Sequence, residues 1–330
     1  MPDREILIEL QEKVGRPFPH VMQDDRCVEL SLCDSASIFH GLVRHHTPGA
    51  KLDILRLISQ LEALRKLNLR RNCLGILPPE FGRLTQLEEL ILSSNYLGKV
   101  PELIRGFKRL KSLLLGNNDL VTLPPWLNEL TELEHFAVHK NIKLKSVDAI
   151  RGLKRLRTLN LYYVNLLELP QFVCEFRDLT TLTLWNVKRF PEGLNPFENL
   201  EFYTNCGGPG VRSLPDGFTR LRKLRMTRLF QNNLESLPED MGNLENLEQI
   251  SFYQNRLSRL PDSMARLQRL AKLNVAWNRF ETIPEWLNDL KSLQYLAIFE
   301  NPLTKPDPII ARPGLKIDRE WPFTTVGAAN

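Results

Sequence analysis

LRKLNLRRNCLGILPPEFGRLTQ at residues 64–86, LEELILSSNYLGKVPELIRGFKR at 87–109 and LKSLLLGNNDLVTLPPWLNELTE at 110–132 are consecutive 23-residue segments sharing the frame LxxLxLxxNxLxxLPxxLxxLxx. Self-similarity at a fixed period of this length marks a stacked architecture in which each copy is one supersecondary unit. Further copies start at Leu133, Leu156, Leu179, Leu200, Leu224, Leu247, Leu270 and Leu293, which makes eleven, with irregular spacing only around the sixth and seventh.

The residue pattern explains why such a unit folds only in company. Alternating leucines, such as Leu67 and Leu69 or Leu113 and Leu115, point to one face of a short strand. One copy cannot bury them, but neighbours at about 4.8 Å form a parallel sheet over a continuous core. At the ninth position stand Asn72, Asn95, Asn118, Asn141, Asn232, Asn255, Asn278 and Asn301, whose amides can both donate to and accept from backbone where the chain turns inward. LPP and LPE segments, at 77–79 and 237–239 for example, fix an extended turn before a short helical segment.

The pattern resembles the leucine-rich-repeat family over residues 64–305. The LP followed by an apolar residue three positions later resembles its intracellular 23-residue subclass, found in plant intracellular Ras-group proteins, Ras-pathway scaffolds and bacterial proteins. The resemblance implies an α/β solenoid, a horseshoe with a concave parallel β-sheet, convex loops carrying short helices or 3₁₀ segments, and terminal caps. Three regions are expected: an N-terminal helical cap with a degenerate first repeat and an insertion at 1–63, the repeats at 64–305 with the irregular part around 179–223, and a C-terminal cap and tail at 306–330. REILIELQEK at 4–13 reads as an amphipathic helix, CVELSLC at 27–33 as the degenerate strand, and KLDILRLISQLEAL from Lys51 as helical. GLKIDREW from Gly314 is expected to close the far end with Leu315, Ile317 and Trp321.

Composition narrows the function. A formal charge of +5 is far below that of a dedicated nucleic-acid binder. The basic runs at 151–157 and 219–228 fall at the turn before a strand, where a solvated edge is the simpler reading. Cys27, Cys33, Cys73, Cys174 and Cys206 are scattered and never form a CxxC pair, which fits reduced thiols in a cytosol. The N-terminus lacks the layout of a secretory signal, and no apolar run reaches the ~18 residues that a membrane span needs. His135 and His139 lie on one strand about 13 Å apart, too far for one metal, and Arg44, His45 and His46 have no acid or cysteine at ligand spacing. No catalytic motif or phosphate loop occurs, so neither enzyme activity nor a cofactor is expected.

The open face carries the functional expectation. Strand positions three, five and seven face away from the core, with the eighth at the rim, and there large rings gather: Tyr162, Tyr163, Trp185, Phe230, Tyr253, Trp277, Tyr295 and Phe299, with His139 and Arg228 among them. Exposed apolar patches of this kind mark partner sites. The chain is expected to be a non-catalytic, monomeric, cytoplasmic interaction module for a protein or peptide. The alternative is a targeting or regulatory subunit of a ligase, kinase or phosphatase system, including an exported effector. Within the irregular part, YTNCGGPGVRSLP at 203–215 is no phosphate cradle, because Pro209 removes a donor and no lysine follows. Its glycines are expected to relax the solenoid near residue 206 and so shape the binding face.

Overall fold

The computed structural model describes residues 2–33, 50–190, 193–208, 211–304, 308–309 and 311–319. The 34–49 part of the insertion with Arg44, His45 and His46, Pro209, Trp321 and the tail after it lie outside these. The chain divides into two compact units, residues 1–165 and 166–330.

In the first unit, helix α1 (Asp3–Val14) buries Ile6, Leu7, Leu10 and Val14 along one side and stops at Gly15, whose φ of 71° suits a left-handed cap. An antiparallel hairpin that the repeat pattern does not announce follows, β1 (His20–Gln23) and β2 (Arg26–Ser31). Asp24 and Asp25 turn it with positive φ at both positions, the turn whose twist matches paired strands. Buried Asp3 accepts the Cys27 N–H at 2.7 Å and the Arg26 guanidinium at 3.1 Å, pinning α1 to the hairpin. After α2 (Ala50–Ile58) come the repeat strands β3 (Lys66–Asn68), β4 (Glu89–Ile91), β5 (Ser112–Leu114), β6 (His135–Ala137) and β7 (Thr158–Asn160). They run parallel from β2 onward, with Leu30, Leu67, Leu90, Leu113, Phe136 and Leu159 in register and buried.

The second unit holds β8 (Thr181–Trp185), β9 (Phe202–Cys206), β10 (Met226–Arg228), β11 (Gln249–Ser251), β12 (Lys272–Asn274), β13 (Tyr295–Ala297) and β14 (Lys316–Asp318), each parallel to the next. β14 is the closing strand expected from GLKIDREW, with Ile317 half-buried. Arg312 reinforces this end by donating to the Asn288 carbonyl at 2.8 Å and to that of Leu290. The LP segments lead into 3₁₀ turns, such as Pro79–Arg83 in the first unit and Glu285–Asp289 in the second, each sending an apolar residue (Phe81, Leu287) into the core. Among the described residues, the repeats contain 3₁₀ turns and no α-helix.

Two backbone devices recur. In all eleven repeats the eighth position is left-handed, with φ between 53° and 71°, from Arg71 to Glu300. This conformation costs a residue with a side chain about 1–2 kcal/mol, and in eight of the eleven repeats the ninth-position asparagine offsets it, with Val164, Val187 and Gly208 standing there in the fifth to seventh. The Asn118 Nδ2 donates to the Leu115 carbonyl at 3.0 Å and to the Leu92 carbonyl of the preceding repeat at 2.9 Å, while its Oδ1 accepts the Asn95 N–H at 2.8 Å. In the second unit the Nδ2 groups of Asn255 and Asn278 donate in the same way, to Phe252 and Leu229 and to Val275 and Phe252, while their Oδ1 atoms accept the N–H of Leu234 and Leu257 instead.

Around the sixth and seventh repeats the structure corrects the expectation of a relaxed sheet. β8 and β9 pair without a shift from Thr181↔Phe202 to Trp185↔Cys206, five pairs where regular repeats make three. Val187 holds the ladder position, and Asn205, in a strand position that is elsewhere apolar, supplies the missing amide. Its Oδ1 accepts the Val187 N–H at 3.2 Å, and its Nδ2 donates to the Val187 carbonyl at 2.8 Å.

Replacing Asn118 with alanine leaves the buried Asn95 N–H without its acceptor and takes one of two amide donors from each of the Leu92 and Leu115 carbonyls, which keep Asn95 and Asn141. A buried unpaired group costs about 1–3 kcal/mol and each lost hydrogen bond about 0.5–1.5 kcal/mol. Asn118→Ala is expected to lower unfolding stability in urea by at least about 2 kcal/mol, whereas Thr131→Ala at an exposed turn changes it by less than about 0.5 kcal/mol.

Candidate protein-interaction face

Because successive side chains of a strand alternate, burying the leucines at positions four and six leaves positions three, five and seven on the opposite side. In this fold a ring on that side finds its place over a small neighbour. In the first unit, the His139 imidazole lies directly on Gly116: a Cβ there would stand 2.1 Å from the ring. Burial, and then the Lys140 and Arg70 charges, push the His139 pKa below its ordinary 6.5, which favours the neutral ring. Tyr162 and Tyr163 meet edge to face at 4.6 Å, with Tyr163 in the left-handed eighth position at φ 55°. Both are half-buried.

The second unit carries the other seven residues. The Trp185 indole lies on Gly207, where a Cβ would come within 2.0 Å of it, and the Asn186 amide fills the same space beside Gly208. Gly207 and Gly208 of YTNCGGPGVRSLP therefore seat the Trp185 and Asn186 side chains. Phe230 and Tyr253 are half-buried and Arg228 is exposed. Trp277, left-handed at φ 54°, is 42% exposed. Phe299 departs from the expectation of an open ring: it is only 7% exposed and packs with Ala276 and Ala297, with Tyr253 and Tyr295 against it. Tyr295 is also committed internally, its hydroxyl donating to Asp318 at 2.7 Å under the Lys316 ammonium, 5.6 Å from the ring centre. Burial, with the Asp318 hydrogen bond and charge, pushes its phenol up to about 12. Phe299 is thus covered, Tyr253 and Tyr295 lie half-buried against its cluster, and Trp277 presents the most exposed ring of this group.

Beside these rings is an open hollow of about 140 Å³ lined by Met226, Arg228, Gln249, Ser251, Lys272 and Tyr295, among others, with no aspartate or glutamate in its lining. Several members of the basic runs, in contrast, are tied to neighbours along the strand edge. Arg225 pairs with Glu248 at 2.9 Å, Lys223 donates to Asn199 at 2.6 Å, and Arg155 pairs with Glu132. Among the described residues, no group of three or more His, Cys, Asp or Glu is placed to hold a metal ion, and no helix is long and apolar enough to cross a membrane.

Comparison with known proteins agrees with the fold. The family described as Leucine-rich repeat region matches residues 213–310, and that described as Leucine Rich Repeat matches 63–84 and 86–107. No curated protein matches the chain in sequence. Among solved structures, a leucine-rich-repeat protein of Leptospira interrogans is 25% identical, with a TM-score of 0.52 and 80% of each chain covered. An internalin of Listeria monocytogenes is 17% identical, with a TM-score of 0.62, covering 91% of this chain and 84% of that one. The leucine-rich-repeat ectodomain of the Arabidopsis thaliana receptor kinase GASSHO1/SCHENGEN3, solved in complex with CASPARIAN STRIP INTEGRITY FACTOR 2, is 23% identical, with a TM-score of 0.58, covering 74% of this chain and 31% of that one. The chain is a leucine-rich-repeat protein, with a solenoid fold that generally serves as a protein-interaction module.

The seating of Trp185 is open to test. Gly207→Ala places a methyl in the ring and a side chain at φ +71°, so it is expected to destabilise the protein by about 1–2 kcal/mol through the backbone alone. It also displaces the indole, seen as a red shift of tryptophan emission that is absent in a Trp185→Phe background.

Proposed function

We propose that the chain is a non-catalytic interaction module that captures a protein or peptide on the open face of its second unit. The observation that carries this reading is Trp277, 42% exposed and next in the chain to Ala276 of the packed cluster of Phe299, Ala276 and Ala297 against which Tyr253 lies. A soluble partner is the ordinary reason for a tryptophan to be held in that way, since rigid aromatic anchors lose little entropy on binding and dominate interface energetics. Trp185, Phe230 and Arg228 extend the same face, with Tyr295 and Phe299 supporting it. In the first unit, His139, Tyr162 and Tyr163 are proposed as contacts in their own right. The complex of the plant receptor ectodomain is a precedent for a leucine-rich-repeat chain holding another molecule.

A reducing, cytoplasmic setting is part of the proposal. None of the five cysteines forms a disulfide, and burial first, with the Asp3 charge beside Cys27, pushes the Cys27 and Cys206 thiols up to about 12, which makes them poor nucleophiles. The internalin likeness supports the alternative of an exported protein.

Tyr253→Ala combined with Trp277→Ala is expected to weaken partner capture in affinity pull-down at least about tenfold, with the unfolding midpoint moved far less than by Asn118→Ala. Retained capture, or loss of folding in the double variant, overturns the assignment of these rings.

A further inference from the structure

Two cations on the open face of the second unit are left without partners. Arg228 on β10 and Lys272 on β12 are both exposed, and among the described residues neither side chain makes a hydrogen bond or an ion pair. The contrast with the strand edge is direct, since Arg225, three residues from Arg228, is held at two points by Glu248. Strand register places the two groups diagonally: Met226, Gln249 and Lys272 form one row, and Arg228, Ser251 and Asn274 the next. β10 and β12 are two strand spacings apart, about 10 Å, and the hollow described above lies between the two cations.

The rest of the lining completes a donor set. The Asn274 Oδ1 accepts the Ala276 N–H at 3.0 Å, which leaves its Nδ2 as the group's remaining donor. Gln249 and Ser251 lie between the cations. Asp318, on neighbouring β14, is already engaged by the Tyr295 hydroxyl and by Lys316 at 3.2 Å. Unpaired positive charge, neutral donors and the absence of carboxylates from the lining make the hollow complementary to an anion. A guanidinium matches a carboxylate by two parallel hydrogen bonds, and an ammonium supplies a second point charge.

We propose that this hollow receives the carboxylate of an aspartate or glutamate in the bound protein segment, with a neighbouring apolar residue of that segment packed on Tyr253 and Trp277. The inference rests on the reading that this face binds protein, and it adds the chemistry of the partner: an acidic stretch carrying an apolar anchor. Because both cations are exposed, their contribution is screened by salt, so capture weakens as ionic strength rises.

The test is selection of a random peptide library displayed on phage against the whole chain, followed by affinity measurement of the selected synthetic peptides. The expected result is enrichment of Asp or Glu beside an aromatic or aliphatic residue. Binding of those peptides should fall about tenfold or more in Arg228→Glu/Lys272→Glu, which retains the wild-type unfolding midpoint, and should recover when the peptide acid is replaced by lysine. Selected peptides that lack acids, bind the double variant unchanged and still lose binding in Trp277→Ala overturn the acidic inference alone and leave the interaction face standing. Failure to select any peptide, or peptides indifferent to both sets of substitutions, overturns both.

Discussion

A single side-chain amide governs how this chain can stack. At each regular repeat the strand must end abruptly and turn inward, which puts the eighth residue in the left-handed region and strands the backbone groups around it beneath the surface. The ninth-position asparagine satisfies them, and it does so partly with groups of the adjacent repeat, as Asn118 does with Leu92 and Asn95. The amide therefore does more than cap a turn: it sets the distance and register between neighbouring units. Parallel strands of three residues make too few hydrogen bonds to fix register alone, and the amide together with the buried leucine rows does so.

With register set, the open face is set too. A side chain at the seventh position meets the same or a neighbouring position of the adjacent repeat, so a small residue there makes room for a large ring. His139 over Gly116, Trp185 over Gly207, and Phe299 with Ala276 and Ala297 are three versions of that rule. The rings are consequently held before any partner arrives, and a preset surface binds without the entropic cost of being ordered first. The irregular sixth and seventh repeats obey the same constraint by other means. Asn205 replaces the absent ladder amide from a strand position, and Gly207 and Gly208 make room for Trp185 and Asn186.

Which features the residues announce follows from the range of the interactions. The period, the strand rows, the ladder and the terminal helix depend on local pattern and on one repeated offset, so they are readable from Leu64 onward and from REILIELQEK. Strand β2 is legible in CVELSLC, but its hairpin partner at 20–23 is not, because the turn signal, two consecutive aspartates in positive φ, lies outside the repeat frame and lacks the glycine that usually advertises such a turn. Of the open face, its location and composition were legible, but not the division between covered and exposed rings. Whether Phe299 or Trp277 stands out depends on a contact across strands about 23 residues apart and on the left-handed backbone that swings Trp277 outward. The glycine run misled for the same reason, since its meaning resides in Trp185, which comes before it in a neighbouring strand.

Residue-resolved hydrogen exchange in the native state tests most directly that the asparagine amides lock one repeat to the next. The N–H groups of Asn72, Asn95 and Asn118, each donated to the amide oxygen of the following repeat, are predicted to exchange as slowly as the strand N–H of Leu115, which is donated to the Ala137 carbonyl. Exchange of these three at the rate of exposed turn amides would contradict the account, because the ladder would then open freely while the strands stayed closed.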